Sequence, residues 1–147
     1  MKILIALDAS AHSERALEFV TRMRWPAGSR VIVLSVLQPV ANLLTAPAEA
    51  GPIPAELLEE ERRKLAEVVA RSENTLREAG FSSEGRVLVG DPREALVQVA
   101  QEERADLIVL GSHGRTGLAK LILGSVSSHV VTHAPCSVMV VKAERRS

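Results

Sequence analysis

At 147 residues with 46% hydrophobic content, the chain matches one ordinary domain and can bury a single sizeable core, so one domain over residues 1–147 is expected. Lys and Arg number 18 against 18 Asp and Glu, and aromatic residues are 2%, which excludes a broad basic footprint for nucleic acid or anionic membrane and an aromatic stacking platform for single strands. The lone Cys136 permits no internal disulfide, as fits a reducing cytoplasm, and the apolar run Ile3 to Leu7 is too short for a signal peptide or membrane span.

Along the chain, short apolar runs alternate with longer stretches of helical period. Lys2 to Leu7, Arg30 to Leu37, Gly85 to Val89, Asp106 to Leu110 and Ser137 to Val141 read as strands, mostly continuous in Val and Ile, as parallel strands covered on both faces must be. Ser13 to Arg24 reads as a helix with Ala16, Leu17, Val20 and Met23 on one face, stopped by Trp25-Pro26. Ala55 to Ala79 places Leu58, Leu65, Val68, Val69, Ser72 and Leu76 at helical spacing, with its Glu and Arg clusters on a solvated face. Asp91-Pro92-Arg93-Glu94 is a helix start with an Asp cap, and the helix beyond it is expected to bury Ala95, Leu96, Val99 and Ala100. Gln38 to Pro54 is either a mobile flap or an ordinary surface loop. Strands separated by helical crossovers imply an α/β fold with an open, parallel, doubly wound five-stranded sheet, which binds ligands at the carboxyl ends of its strands where the winding reverses.

Several polar groups invite chemistry. Asp8, Ser10, His12 and Ser13 supply acid, base and nucleophile within a few residues, but Ser10 or Ser13 as the cap of the first helix, with His12 in its exposed first turn, is the better account. His129 and His133 share a helix face without a third metal ligand nearby. Cys136 reads as a small buried residue rather than a reactive thiol.

The stretch "GSHGRTGLAKLILGS", Gly111 to Ser125, carries the main signal. Gly111 closes the fourth strand, where a bare α-carbon permits a sharp exit and close approach by a ligand. Gly114 and Gly117 keep the loop bare, and Gly124-Ser125 opens the helical segment "SVSSHVVTH", whose unpaired N–H groups and positive dipole end suit phosphate. Ser127 adds a donor, Arg115 and Lys120 supply local positive charge, and for His113 an exposed loop histidine is the better account than a phosphate contact. By spacing alone, a phosphate cradle and a pair of tight turns with Ser125 as N-cap are equally good readings. There is no Gly-Lys-Ser/Thr ending and no G-x-G-x-x-G after the first strand, which removes the usual ATPase and dinucleotide motifs.

Gly111, Gly114, Gly124 and Ser125 resemble the G-2x-G-9x-G-(S/T) signature of the universal stress protein family, in its ATP-binding branch. "ILIALDASAHSERAL" is similar to the opening strand and helix of that family, and "ADLIVLGSHGRTGL" and "GSVSSHVVTHAPCSVMVV" to its closing half. The resemblance implies a Rossmann-like sheet of order 3-2-1-4-5 with ATP, together with magnesium, between the carboxyl ends of strands one and four. By position, Asp8 would sit near ribose or a phosphate-bound metal, Val36 against adenine, Gly111 and Gly114 at ribose and phosphate, and Gly124, Ser125 and Val126 on the triphosphate. Ala9 stands where the family often has Gly, and Ser137 where Pro commonly follows "APC". In that order the last strand lies at the sheet edge with no charge in "SVMVV" to blunt it, so a homodimer through Val138 to Val141 is expected. The expected function is a cytoplasmic, dimeric, ATP-dependent stress-response protein with unidentified protein partners. The alternatives are a nucleotide-independent interaction module of the same fold and a slow ATPase, for which Asp8 is the one candidate base.

Overall fold

The computed structural model describes residues 1–39, 51–113 and 123–142. Strands β1 (Lys2–Ala6), β2 (Arg30–Leu37), β3 (Ser82–Val89), β4 (Leu107–Gly111) and β5 (Ser137–Val141) form one parallel sheet in the order β3-β2-β1-β4-β5. The helices are α1 (Ala11–Arg22), α2 (Ala55–Glu78), α3 (Pro92–Glu102) and α4 (Ser125–His133). This is the doubly wound, Rossmann-like architecture that the alternating pattern implies.

Successive strand residues point to opposite faces, so a strand covered on both sides must be apolar throughout. In β1, Ile3 and Ile5 enter a core shared with Ala16 and Val20 of α1 and Val69 and Leu76 of α2. Leu4, between them, enters a second core with Leu96, Val99 and Ala100 of α3 and Val130 of α4. The alternation repeats in β2, with Val31 and Val33 against Ile32 and Leu34, and in β4, with Leu107 and Val109 against Ile108 and Leu110. Ser35, fully buried in β2, donates its hydroxyl to the Leu7 carbonyl at 2.6 Å and so ties the ends of the two strands together.

β1 and β4 are neighbours, yet α1 leaves β1 for one face and α4 leaves β4 for the other. Their carboxyl ends therefore part around a crevice, the place where such sheets take ligands.

Several boundaries differ from the sequence expectation. Helix α1 starts at Ala11 rather than Ser13, because the Ser10 hydroxyl accepts from the Ser13 N–H and makes Ser10 the cap. It ends at Arg22, which leaves Met23 42% exposed instead of in the core; Trp25 packs there in its place, with Nε1 donating to the Val20 carbonyl at 2.8 Å. Ala95 is half-buried rather than fully enclosed. Strand β3 begins at Ser82, ahead of the apolar run, since its polar first residues lie along a sheet edge and still pair with β2 from Arg30 onward. At Gly85 a methyl group would overlap the Val69 and Glu73 side chains, so bare backbone there lets α2 lie close on β3. Among the described residues, no helix is long and apolar enough to cross a membrane.

Candidate functional site

The carboxyl end of β1 turns sharply into α1. Ala9 adopts φ 64°, the left-handed conformation that costs a residue with a side chain roughly 1–2 kcal/mol. Hydrogen bonds hold the turn in that shape: the Ser10 N–H donates to Asp8 Oδ1 at 3.0 Å and the Asp8 N–H to Ser13 Oγ at 3.3 Å. Ser13, only 4% exposed, donates its own hydroxyl to the Ser10 carbonyl at 3.0 Å. The hydroxyl of Ser13 is thus spent on the turn, and capping, not a catalytic triad, explains this serine-rich segment. Asp8 itself is half-buried at the strand end.

The end of β4 is fastened to the start of α4 through one carbonyl. Ser112 O accepts from the Gly124 N–H at 2.7 Å and from Ser127 Oγ at 2.9 Å. Ser127 also reaches the Gly124 carbonyl at 3.1 Å and is 2% exposed, so its hydroxyl ties the start of α4 to the end of β4. The cap of α4 is Gly124, with Ser125 the first helical residue rather than the cap, and the helix start has no side-chain cap hydrogen bond among the described residues. Helices α1 and α3, which begin at the same edge of the sheet, are capped by their own Ser10 and Asp91, whereas α2, entered through Pro54, also has no side-chain cap. Among the described residues, the first turn of α4 therefore keeps a positive dipole end without a side-chain cap.

Two glycines of the motif have a packing role. A methyl at Gly111 would lie 2.7 Å from His12 Cβ and 2.8 Å from the His12 carbonyl carbon and oxygen, so the bare residue lets the first turn of α1 rest on the end of β4. The backbone of His12 thus occupies the space that a side chain at position 111 would need. At Gly124 a methyl would lie 3.2 Å from the Ser112 carbonyl and 3.3 Å from His113 Cα, tight but short of overlap. His12 is accordingly half-buried, not exposed, and its Nδ1 lies 3.3 Å from Ser112 Oγ; His113 Nδ1 lies 3.1 Å from the same oxygen. The contact between Ser112 and His12 escaped the sequence reading because it joins through space residues that are distant along the chain. The need for glycine at position 111 was the one local sign of that crowding.

Val36 lies half-buried near the end of β2, against the core under α3 and α4. Gly114, Arg115, Gly117 and Lys120 lie outside the described residues, as does most of Gln38 to Pro54. On α3, the Asp91 carboxylate accepts from the Arg93 N–H at 2.9 Å and from its guanidinium at 2.8 Å, and these bonds hold the carboxyl below its ordinary range. Burial pushes the Cys136 thiol up, which agrees with an unreactive cysteine. The His129 and His133 rings stack at 4.2 Å, and His133 Nδ1 lies 3.0 Å from the His129 carbonyl. Among the described residues no group of three or more His, Cys, Asp or Glu could hold a metal ion.

A family model described as the universal stress protein family matches residues 1–142. The chain belongs to the universal stress protein family. This universal stress protein is 33% identical to universal stress protein MJ0577 of Methanocaldococcus jannaschii, over 96% of this chain and 94% of that one. The solved structure of MJ0577 superposes with a TM-score of 0.81, covering 99% of this chain and 97% of that one. A universal stress protein of Thermus aquaticus is 35% identical over 95% of this chain and 97% of its own length. The universal stress protein of Archaeoglobus fulgidus solved in complex with dAMP superposes with a TM-score of 0.69 at 25% identity, covering 97% of this chain and 98% of that one.

Proposed function

We propose that this universal stress protein binds an adenine nucleotide, ATP with magnesium, in the crevice between β1 and β4, and acts in the cytoplasm as a dimeric, nucleotide-dependent stress-response protein. The observation that carries the reading is the start of α4, which has no side-chain cap and lies beside the end of β4. The residues there fit a phosphate chain. The N–H groups of Ser125 and Val126 stand at the positive end of the helix dipole, where phosphate oxygens are favoured. Asp8 would face ribose or phosphate-bound magnesium from the carboxyl end of β1, where its Oδ1 accepts from the Ser10 N–H at 3.0 Å. Val36 would border the adenine, and Gly111, Gly114 and Arg115 would complete the wall. The dAMP complex of the Archaeoglobus fulgidus relative supports the choice of nucleotide class.

Ser125→Pro tests the reading cleanly. Proline is favoured at the first helical position, and the ψ of 170° at Gly124 suits a residue before proline, so the helix keeps its shape while losing the Ser125 N–H and hydroxyl. Titration calorimetry should show ATP affinity falling by at least about tenfold, the loss expected for hydrogen bonds to a charged ligand. Unchanged affinity refutes the assignment.

A second reading, the nucleotide-independent interaction module, draws support from the packing roles of Gly111 and Gly124, which need no ligand. Mass spectrometry of whatever the freshly purified protein releases on denaturation separates the two. A co-purified adenine nucleotide favours the first.

For the homodimer, β5 supports pairing along its outer edge. Among the described strands it is bonded only to β4, and it carries no charge from Val138 to Val141. Beside it lies a groove of about 550 Å³ between α1 and β5, lined by the apolar Phe19, Met23 and Met139 together with the charged Arg15, Glu18, Arg22 and Lys142.

A further inference from the structure

Helix α4 carries His129 and His133 four residues apart on one face, and their rings stack with centroids 4.2 Å apart and planes tilted by 24°. His133, exposed in the last turn, holds its Nδ1 3.0 Å from the His129 carbonyl oxygen. A carbonyl only accepts, so that nitrogen carries the hydrogen, and the Nε2 of the neutral ring is left with a bare lone pair. A backbone carbonyl that orders one ring nitrogen while the other stays basic is the usual support behind a histidine metal ligand. The half-buried His129 makes no hydrogen bond from its ring among the described residues, so that ring can turn toward its neighbour. The surroundings favour a cation. The pair runs from the middle of α4 to its last residue, toward the negative end of the helix dipole. The Asp91 carboxyl of α3, held low first by Arg93, is lowered also by the charge of His129, which places a carboxylate on this flank of the pair.

We propose that His129 and His133 together bind a divalent transition-metal ion, Zn²⁺ or Cu²⁺ in preference to Mg²⁺ or Ca²⁺. Imidazole nitrogen suits the former, whereas the hard cations take oxygen. Tetrahedral ligation at about 2.0–2.1 Å needs the two nitrogens about 3.4 Å apart, a separation that rings stacked at 4.2 Å reach by a rotation of His129. Water completes the shell, since no third His, Cys, Asp or Glu joins the pair among the described residues. Two protein ligands are fewer than the four of a structural zinc, so the ion exchanges with its free concentration instead of being a fixed part of the fold. By bridging residues one turn apart, it ties the last turns of α4 together. The helix rises about 6 Å from Ser125 to His129 and about 12 Å to His133, so this ion is separate from a magnesium held on a phosphate chain at the helix start. The site is independent of the nucleotide reading above.

Titration calorimetry of the nucleotide-free full chain with Zn²⁺ tests the site, with Mg²⁺ as the hard-ion competitor. One Zn²⁺ should bind per chain and excess Mg²⁺ should not displace it. His129→Ala and His133→Ala should each weaken Zn²⁺ at least about tenfold, while His12→Ala, which removes a histidine from the other close pair, should change it by less than about twofold. The melting temperature of the wild type should rise with Zn²⁺, and that of the two α4 variants should not. For a variant that fails to fold, NMR of the wild type decides the matter. The chain has four histidines, and Zn²⁺ should shift the ring signals of His129 and His133 together, at lower concentration than those of His12 and His113. A loss confined to one of the α4 variants means a single chance ligand and overturns the site. So does a loss that follows His12→Ala, displacement of Zn²⁺ by Mg²⁺, or no binding of Zn²⁺ at millimolar concentration.

Discussion

The contact between Gly111 and His12 allows a quantitative test of why the motif begins with glycine. In Gly111→Ala the new methyl group would meet His12 Cβ at 2.7 Å and the His12 carbonyl carbon and oxygen at 2.8 Å, against ordinary carbon contacts of about 3.5–4.0 Å. Two of these partners are backbone atoms in the first turn of α1, so no rotamer change relieves the overlap and the start of the helix must lift off β4. Overpacking of this kind costs about 1–3 kcal/mol. The displaced helix also loses the bond between Ser112 and His12, which contributes about 1 kcal/mol. Replacing glycine in a strand returns about 0.5–1 kcal/mol of backbone entropy. The net expectation is a destabilisation of about 2 kcal/mol, seen as a fall in melting temperature of roughly 4–8 °C for a chain of this size. Differential scanning calorimetry provides the measurement. His12→Ala added to Gly111→Ala should not restore the loss, because it leaves the Cβ and the carbonyl in place. A Gly111→Ala protein as stable as the wild type, or full rescue by His12→Ala, would show that the glycine is not required by the backbone of α1.

Ala9→Gly should raise stability by about 1 kcal/mol in urea denaturation, since glycine adopts the left-handed conformation at φ 64° without strain; a loss of stability would mean that the turn does not hold that conformation. Asp91→Ala removes the cap of α3 and should cost about 1 kcal/mol at neutral pH. Because Arg93 lowers the carboxyl pKa in the folded chain, its contribution is complete above about pH 4 and is lost as the pH falls through the lowered value, so the wild type and Asp91→Ala should converge in stability at acid pH. A gap that widens with acid refutes that sign. In β5 the Val141 carbonyl accepts from the Ser112 N–H, so the Val141 peptide groups face β4 and the Val140 N–H faces outward. Val140→Pro should abolish edge pairing while sparing the bonds to β4, and sedimentation should then show monomer where the wild type shows dimer.

Much of the fold was legible in local pattern. Continuous apolar runs read as strands covered on both faces, and Ile3, Leu4 and Ile5 show why, since neighbours in one strand enter different cores. The Asp91-Pro92 helix start was equally plain, because cap and helix are adjacent in sequence. The first residues of β3 were not, for an edge strand can be polar and yet keep its backbone pairing. Met23 was misplaced for a related reason: helical period continues on paper past Arg22, whereas Trp25 takes the core position and its Nε1 bonds back to Val20.

The candidate site divides along the same line. The sequence by itself determined the element order, the glycine spacing from Gly111 to Ser125 and, through that spacing, the family. Only the tertiary structure decided what surrounds those glycines. It committed the hydroxyl of Ser127 to the Ser112 carbonyl, gave the space over Gly111 to His12, and brought two histidines a hundred residues apart in sequence to one serine oxygen. The physical reason is that period and spacing report which backbone groups an element leaves open. The partner that fills each opening is chosen by whichever other segment the sheet order carries to the same edge.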